Sequence, residues 1–178
     1  MVNLTASARM RLAAAAAVAC LAAGVPAVAT ASSSAPATPR CNGSDTYVWF
    51  ALSPNGAAGT IYYPVEFTNV GSKACTLTGY PGVSAVSKSA RQIGLAATRV
   101  KSVTVHTVTV KPHQTVHAVL GVVEPGLITG CHDAAADGLK VYPPNEKSRM
   151  LVLNFSFTAC KNKPFLRVYP VTQGIGVP

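Results

Sequence analysis

Four histidines are the residues of this chain with the clearest capacity for chemistry, because histidine is the commonest metal ligand in proteins. His113 and His117 lie four positions apart, while His106 and His132 stand elsewhere. On a strand, positions four apart share a face but lie about 13 Å from each other, at about 3.3 Å per residue, too far to bind one ion unaided. A metal site formed by His106, His113 and His117 is therefore the second of two functional hypotheses, and solvent-exposed histidines are its simpler rival.

Groups suited to catalysis are scarce. The chain has six carboxylates, and none stands in the two-carboxylate arrangement of glycosidases or in a nucleophile elbow. The glycine-rich run Gly56–Gly59 lacks the lysine and the following helix of a phosphate-binding loop. We therefore expect no enzyme activity, no catalytic residue and no cofactor. The carboxylates are Asp45, Glu66, Glu124, Asp133, Asp137 and Glu146.

Cysteine gives a more specific signal. Four cysteines remain once an N-terminal leader is set aside, namely Cys41, Cys75, Cys131 and Cys160. In an exported chain an even number indicates disulfides, here two. Zinc ligands usually come in close pairs about two to four residues apart, and these gaps are far longer, so no metal site is expected at the cysteines. Two disulfides would also leave no thiol as a nucleophile.

Four cysteines permit three connectivities, and the expected strand order favours one of them. The strand that begins near Thr46 is predicted to pair antiparallel with the strand Ile61–Thr68. Cys41 then lies beside the turn that begins at Asn69, and Cys75 follows the same turn. We therefore predict the pairs Cys41–Cys75 and Cys131–Cys160.

The first residues are typical of a secretion signal. Two arginines precede an apolar run from Leu12 to Val28, and small residues suited to cleavage surround Ala29 and Ala31. We predict a cleaved signal peptide over residues 1–31, and cleavage after Ala29 is the alternative. A membrane anchor is less favoured, because an alanine-dominated run of about seventeen residues is short for a spanning helix. Lipidation of Cys20 is a further alternative.

The remaining chain divides simply. Residues 32–40 are a linker rich in Ser, Pro and Ala, too polar to order itself by burial. We predict one folded domain over residues 41–173 and a short tail over residues 174–178.

The stretch Gly56–Val83 predicts a β-hairpin. Apolar and polar residues alternate through Ile61–Thr68, the turn Asn69–Ser72 follows, and a second strand is expected to return through Cys75 and Leu77. Pro64 has no backbone N–H to donate to a neighbouring strand, which places its strand at a sheet edge or beside a bulge.

Most other segments also favour strands. Val116, Ala118, Leu120 and Val122 form the inner face of one, and the clearest alternation of the chain begins at Leu151. Cys131–Gly138 is expected to be a loop with one helical turn. The single Trp49 is interpreted as a core anchor rather than as part of a binding surface. Eight or nine short strands separated by Gly and Pro turns predict an all-β fold, an antiparallel immunoglobulin-like (Ig-like) β-sandwich, with a barrel as the alternative.

Several motifs in this region resemble a known family. They are Gly56–Gly59, the strand segment Tyr62–Pro64, the Asn69-x-Gly71 turn and, above all, the run CTLTGYPG over Cys75–Gly82. Together they resemble the secreted actinobacterial family known as domain of unknown function 4232, over about Cys41 to Val171. The resemblance implies export, a β-sandwich and disulfides, and it supplies no reaction or ligand. This chain departs from the family pattern at two turns, Ser89–Arg91 and Pro112–His113.

Charge is the remaining clue to function. Loss of the leader removes Arg9 and Arg11, so thirteen of the fifteen Lys and Arg remain against six Asp and Glu, a net charge of +7. A basic surface favours acidic partners, here an anionic envelope polymer or the head groups of a membrane surface, and solubility alone is the simpler interpretation. Nucleic acid is not expected as a partner of an exported chain.

The function predicted from sequence is an exported, non-catalytic binding or structural module of the cell envelope. It would contact acidic surface polymers or lipids through a basic surface. The alternative is an extracytoplasmic metal-binding protein that uses the histidines.

Overall fold

A computed structural model describes residues 37–51, 54–147 and 151–174. For residues 151–153 it describes the main chain only. The predicted signal peptide, most of the linker and the last four residues of the tail lie outside the described residues. The predicted limits of the domain, at residues 41 and 173, stay predictions. Over these three ranges, no helix is long and apolar enough to span a membrane.

The regular secondary structure of the described chain is almost wholly β-strand, with one short 3-10 helix at Pro125–Leu127 and no α-helix. Its strands are β1 Thr46–Phe50, β2 Asn55–Ala57, β3 Thr60–Asn69, β4 Cys75–Thr78, β5 Gly82–Val86, β6 Gln92–Ile93, β7 Thr98–Arg99, β8 Thr107–Val110, β9 Thr115–Val123, β10 Asp133–Tyr142, β11 Leu151–Cys160 and β12 Leu166–Val168.

These strands form three sheets. The first has the order β1-β3-β9-β12-β7, with β2 pairing the other end of β3, and the second has the order β11-β10-β5-β6. The third is the pair β4-β8. All pairings are antiparallel except that of β12 with β7. The predicted all-β, antiparallel fold class is thereby confirmed.

The core draws on the two larger sheets. Phe67 and Leu120 are fully buried in the first sheet, and Leu139 is fully buried in the second. Phe155 of β11 packs on Phe50 and Tyr63 of the first sheet, at ring-centroid distances of 5.0 and 4.8 Å. The fold is therefore sandwich-like, and its Ig-like connectivity stays a prediction. The predicted inner face of β9 is confirmed, since all four of its alternate apolar residues are buried, namely Val116, Ala118, Leu120 and Val122.

The predicted hairpin between β3 and β4 is wrong. Strand β3 is already paired with β1 on one side and β9 on the other, so β4 pairs with β8 instead. Asn69 directs this departure: its Nδ2 donates to the carbonyl oxygens of Lys73 and Val110, and its Oδ1 accepts from the Gly71 N–H. The turn therefore ties the end of β3 to β8 and does not fold β4 back onto β3.

Two further expectations about this sheet need correction. Pro64 lies in an interior strand, but between the ends of its two partners on one side, because β1 ends at Phe50 and β2 begins at Asn55. On that side the Pro64 carbonyl oxygen still accepts from the Ala51 N–H at 3.3 Å. Trp49 is not a core anchor. It lies half-buried on the face opposite Val48, where its Nε1 donates to Thr68 Oγ1 at 3.0 Å.

The segment Cys131–Gly138 is also not a helical loop. From Asp133 onward it belongs to β10, which pairs with β11 through a register shift between Ala136 and Gly138. The small side chain of Ala136 is buried at 2% exposure, so tight packing against the sheet outweighs the weak strand propensity of alanine.

Both disulfides have the predicted connectivity. Cys41 and Cys75 join with a Cα–Cα distance of 4.8 Å, which fastens the start of the domain to β4. Cys131 and Cys160 join at 5.5 Å and link the segment before β10 to the end of β11. The strand pairing behind the first prediction is present, because Thr46 stands opposite Asn69.

We predict that removing either disulfide costs about 2–4 kcal/mol of unfolding free energy, because the pairs span similar separations of 34 and 29 residues. The variants are Cys41→Ala/Cys75→Ala and Cys131→Ala/Cys160→Ala, measured by urea unfolding. A variant that lacks both disulfides is the control, since a reductant should leave its stability unchanged. A loss below about 1 kcal/mol for both pairs would contradict the chain-entropy argument.

Candidate functional site

The structure disperses the four histidines. His106 is exposed before β8, His132 is exposed before β10, and His113 is exposed in the β8–β9 turn with φ of 63°. His117 lies in β9 with 5% exposure. Across the described ranges, no group of three or more His, Cys, Asp or Glu is arranged to hold a metal ion. The alternative metal site at His106, His113 and His117 therefore receives no geometric support.

Two of the carboxylates accept hydrogen bonds from backbone N–H groups. Asp137 Oδ2 accepts from the Lys88 N–H at 3.1 Å, and Glu146 accepts from the N–H groups of Gly43 and Lys147 at 3.1 and 2.9 Å. Asp45 Oδ2 accepts from the Asn42 side chain at 2.7 Å. These contacts fix turns and strand ends, and they do not bring two carboxylates together over a common cleft.

Sequence reasoning missed a buried polar pair outside the core. Glu66 and His117 stand directly opposite each other on β3 and β9, with exposures of 1% and 5%. The main chain of His117 bonds to Thr172, so this is the non-hydrogen-bonded kind of pair, in which side chains approach most closely. The ring Nδ1 of His117 lies 3.0 Å from the Gly174 carbonyl oxygen.

This pair helps to hold the end of the domain against β9. The parity of the sequence placed Glu66 and His117 on the polar face of their strands, where exposure was the natural expectation. Residues 172–174 continue beyond β12 alongside β9 and contact His117 through its main chain and its ring. No local sequence pattern predicts this contact.

A cleft of about 440 Å³ lies where the β4–β5 connection, β7 and the end of β10 meet. Tyr80, Arg99 and Tyr142 contribute its aromatic and cationic walls, and the turn after β10 forms its rim. The carbon Cζ of Arg99 lies 5.5 Å from the centroid of the Tyr80 ring, which is a cation–π contact. Rim residues are Pro143, Asn145, Glu146 and Lys147.

Hydrogen bonds hold these walls in place. The Tyr80 hydroxyl donates to the Val100 carbonyl oxygen at 3.0 Å, next to Arg99 in the chain. Asn145 adopts a left-handed φ of 63°, and its Nδ2 donates to the Thr78 carbonyl oxygen at 2.8 Å. Gly82 of β5 stands opposite Tyr142 and lies against its side chain. The cleft is therefore built on fixed elements of the fold.

Two tyrosines, Tyr63 in β3 and Tyr169 just after β12, have raised pKa values. Burial raises the pKa of Tyr169, the neighbouring Tyr62 raises it further, and Arg167 lowers it. Burial also raises the pKa of Tyr63, with a smaller contribution from Glu124. In both cases burial is the larger cause, so the folded state favours the protonated phenol more than the unfolded state does.

The sequence model of the family described as domain of unknown function (DUF4232) matches residues 41–172. The chain belongs to this family. The match spans all twelve strands and both disulfides of the DUF4232 domain, as far as the structure describes them. No curated protein matches the chain. The description of the DUF4232 family names no activity.

We predict that the stability of the domain falls as pH rises above about 10, partly through Tyr169. Because its folded pKa is raised, the stabilisation is fully present below the unfolded tyrosine pKa and is lost as pH rises through the folded one. Tyr169→Phe should therefore make the unfolding free energy fall less steeply between about pH 9 and pH 11. Urea unfolding across this range measures the slope.

The matched control is Tyr47→Phe, at a side chain with 57% exposure. This control should follow the wild-type slope. Equal slopes for Tyr169→Phe and the wild type would show that burial of Tyr169 has no effect on alkaline unfolding.

Proposed function

We propose that this chain is an exported, non-catalytic binding module of the cell envelope that contacts acidic surface polymers through its basic surface. Two disulfides support export, because such bonds form and persist in oxidising compartments. The leader predicted over residues 1–31 supports the same compartment.

The exposure of charge is the observation on which this proposal rests. Among the described residues, eleven Lys and Arg side chains are exposed, whereas only Glu124 and Asp133 are exposed carboxylates. The remaining carboxylates are buried or half-buried. The surface is therefore more strongly positive than composition alone requires, and it attracts polyanions. The exposed cations are Arg40, Lys73, Lys88, Arg91, Arg99, Lys101, Lys111, Lys147, Lys161, Lys163 and Arg167.

A flexible polymer suits this distribution better than a membrane surface does. Nine of these eleven cations lie outside the strands, as with Arg91 after β5, Lys111 after β8 and Lys161 after β11. A planar bilayer contacts one side of a domain, and binding to it usually adds an apolar face to the charge. A chain-like polyanion can follow cations that lie on several turns.

The expected result is binding of the mature domain to polygalacturonate that weakens with salt. Binding should be strong at an ionic strength of about 0.01 M, where the Debye length is about 30 Å, and weaker at about 0.15 M, where it is about 8 Å. Co-sedimentation with beads that carry covalently attached polygalacturonate measures retention, and neutral dextran beads are the matched control.

Vesicles of phosphatidylserine and phosphatidylcholine form a second arm of this experiment. Retention on vesicles but not on polygalacturonate would replace the polymer with a lipid surface. No retention on the acidic polymer at low salt, or retention that ignores salt, would contradict the proposal.

A further inference from the structure

We propose that the cleft between Tyr80, Arg99 and Tyr142 binds one acidic sugar unit of such a polymer. This inference rests on the proposed function. The basic surface as a whole would attract the polymer, and this cleft would be the site that recognises one of its sugar units. The volume of about 440 Å³ lies within the range of small-molecule clefts, roughly 300–1,000 Å³.

The cationic side of the cleft provides an anchor for a carboxylate. Arg99 and Lys147 are both exposed and both line the cleft. The guanidinium of Arg99 rests over the Tyr80 ring, and Tyr80 is itself fixed by its hydrogen bond to the Val100 carbonyl oxygen. An arginine held in this way loses little freedom when a carboxylate binds, and its planar fork matches the two oxygens of that group.

The aromatic side of the cleft fits the ring of a sugar. Tyr142 lies across Gly82, and Pro143 follows it, so a largely apolar wall stands beside the cations. Apolar and aromatic walls with a few polar groups are typical of ligand sites. A sugar ring presents C–H groups to such a wall while its hydroxyls face the rim. Inorganic phosphate has no apolar surface that could pack against this wall.

The acidic residue of the rim also favours a sugar over a bare anion. Glu146 lines the cleft, and its two oxygens accept from the N–H groups of Gly43 and Lys147. A carboxylate at this place can accept hydrogen bonds from sugar hydroxyls, whereas it repels an ion that is charged on every side. In a sugar ring with one carboxylate and several hydroxyls, the carboxylate can bind Arg99 and Lys147, and the hydroxyls can donate to Glu146.

The test measures binding of tetragalacturonate to the mature domain by calorimetry at low ionic strength. The double variant Arg99→Gln/Lys147→Gln should bind at least tenfold more weakly than the wild type. Tyr142→Leu, which keeps an apolar side chain but removes the flat ring, should also weaken binding. Circular dichroism and the urea midpoint confirm that each variant is folded.

The matched control is Lys161→Gln/Lys163→Gln, which removes the same charge from the β11–β12 turn. This turn lies near Asp133 at the start of β10, whereas Tyr142 ends that strand, about 30 Å away at about 3.3 Å per residue. The control should change the affinity less than twofold.

Each outcome separates the two proposals. Equal losses in both double variants would overturn the cleft inference and leave the proposed function standing, since charge alone would then explain binding. Displacement of tetragalacturonate by equimolar inorganic phosphate would overturn the assignment to a sugar. A wild-type domain that binds neither tetragalacturonate nor polygalacturonate at low salt would remove the proposed function itself.

Discussion

The pairing of β3 on both of its sides is the constraint from which much of this fold follows. Strand β9 runs along the whole of β3, and β1 and β2 share its other side. No ladder position then remains for β4, which crosses to β8 and takes Cys75 with it. The first disulfide therefore links the entry of the domain to the small β4-β8 sheet, and the β4–β5 connection that bears Tyr80 begins from there.

Burial also explains why polar residues appear in unexpected places. The apolar faces of β3 and β9 point to the core, so their polar alternates face outward, where Glu66 and His117 meet. The chain after β12 then runs beside β9, where Thr172 pairs with the main chain of His117 and the Gly174 carbonyl oxygen lies 3.0 Å from the His117 ring. The same segment contains Tyr169, whose pKa is raised by burial.

The limits of prediction from this sequence follow from the same physics. Alternation identified the inner face of β9 because burial on one side imposes a period of two. It could not choose the partner of β4, since neighbouring strands pair often but not always, and the choice depends on which edges distant strands occupy. The strand around Ala136 was not predicted for a related reason. Alanine has a weak strand propensity, and whether it suits a strand depends on how it packs against neighbouring strands. The cleft could not be predicted from the sequence, since Tyr80, Arg99 and Tyr142 come from three separated segments.

The origin of the cleft walls has a mechanical consequence. Arg99 belongs to β7, which is attached to the first sheet through β12, whereas Tyr142 ends β10 of the second sheet. An occupant that touches both residues bridges the two layers at one rim. Binding of such an occupant would therefore oppose movement of one sheet relative to the other at this rim.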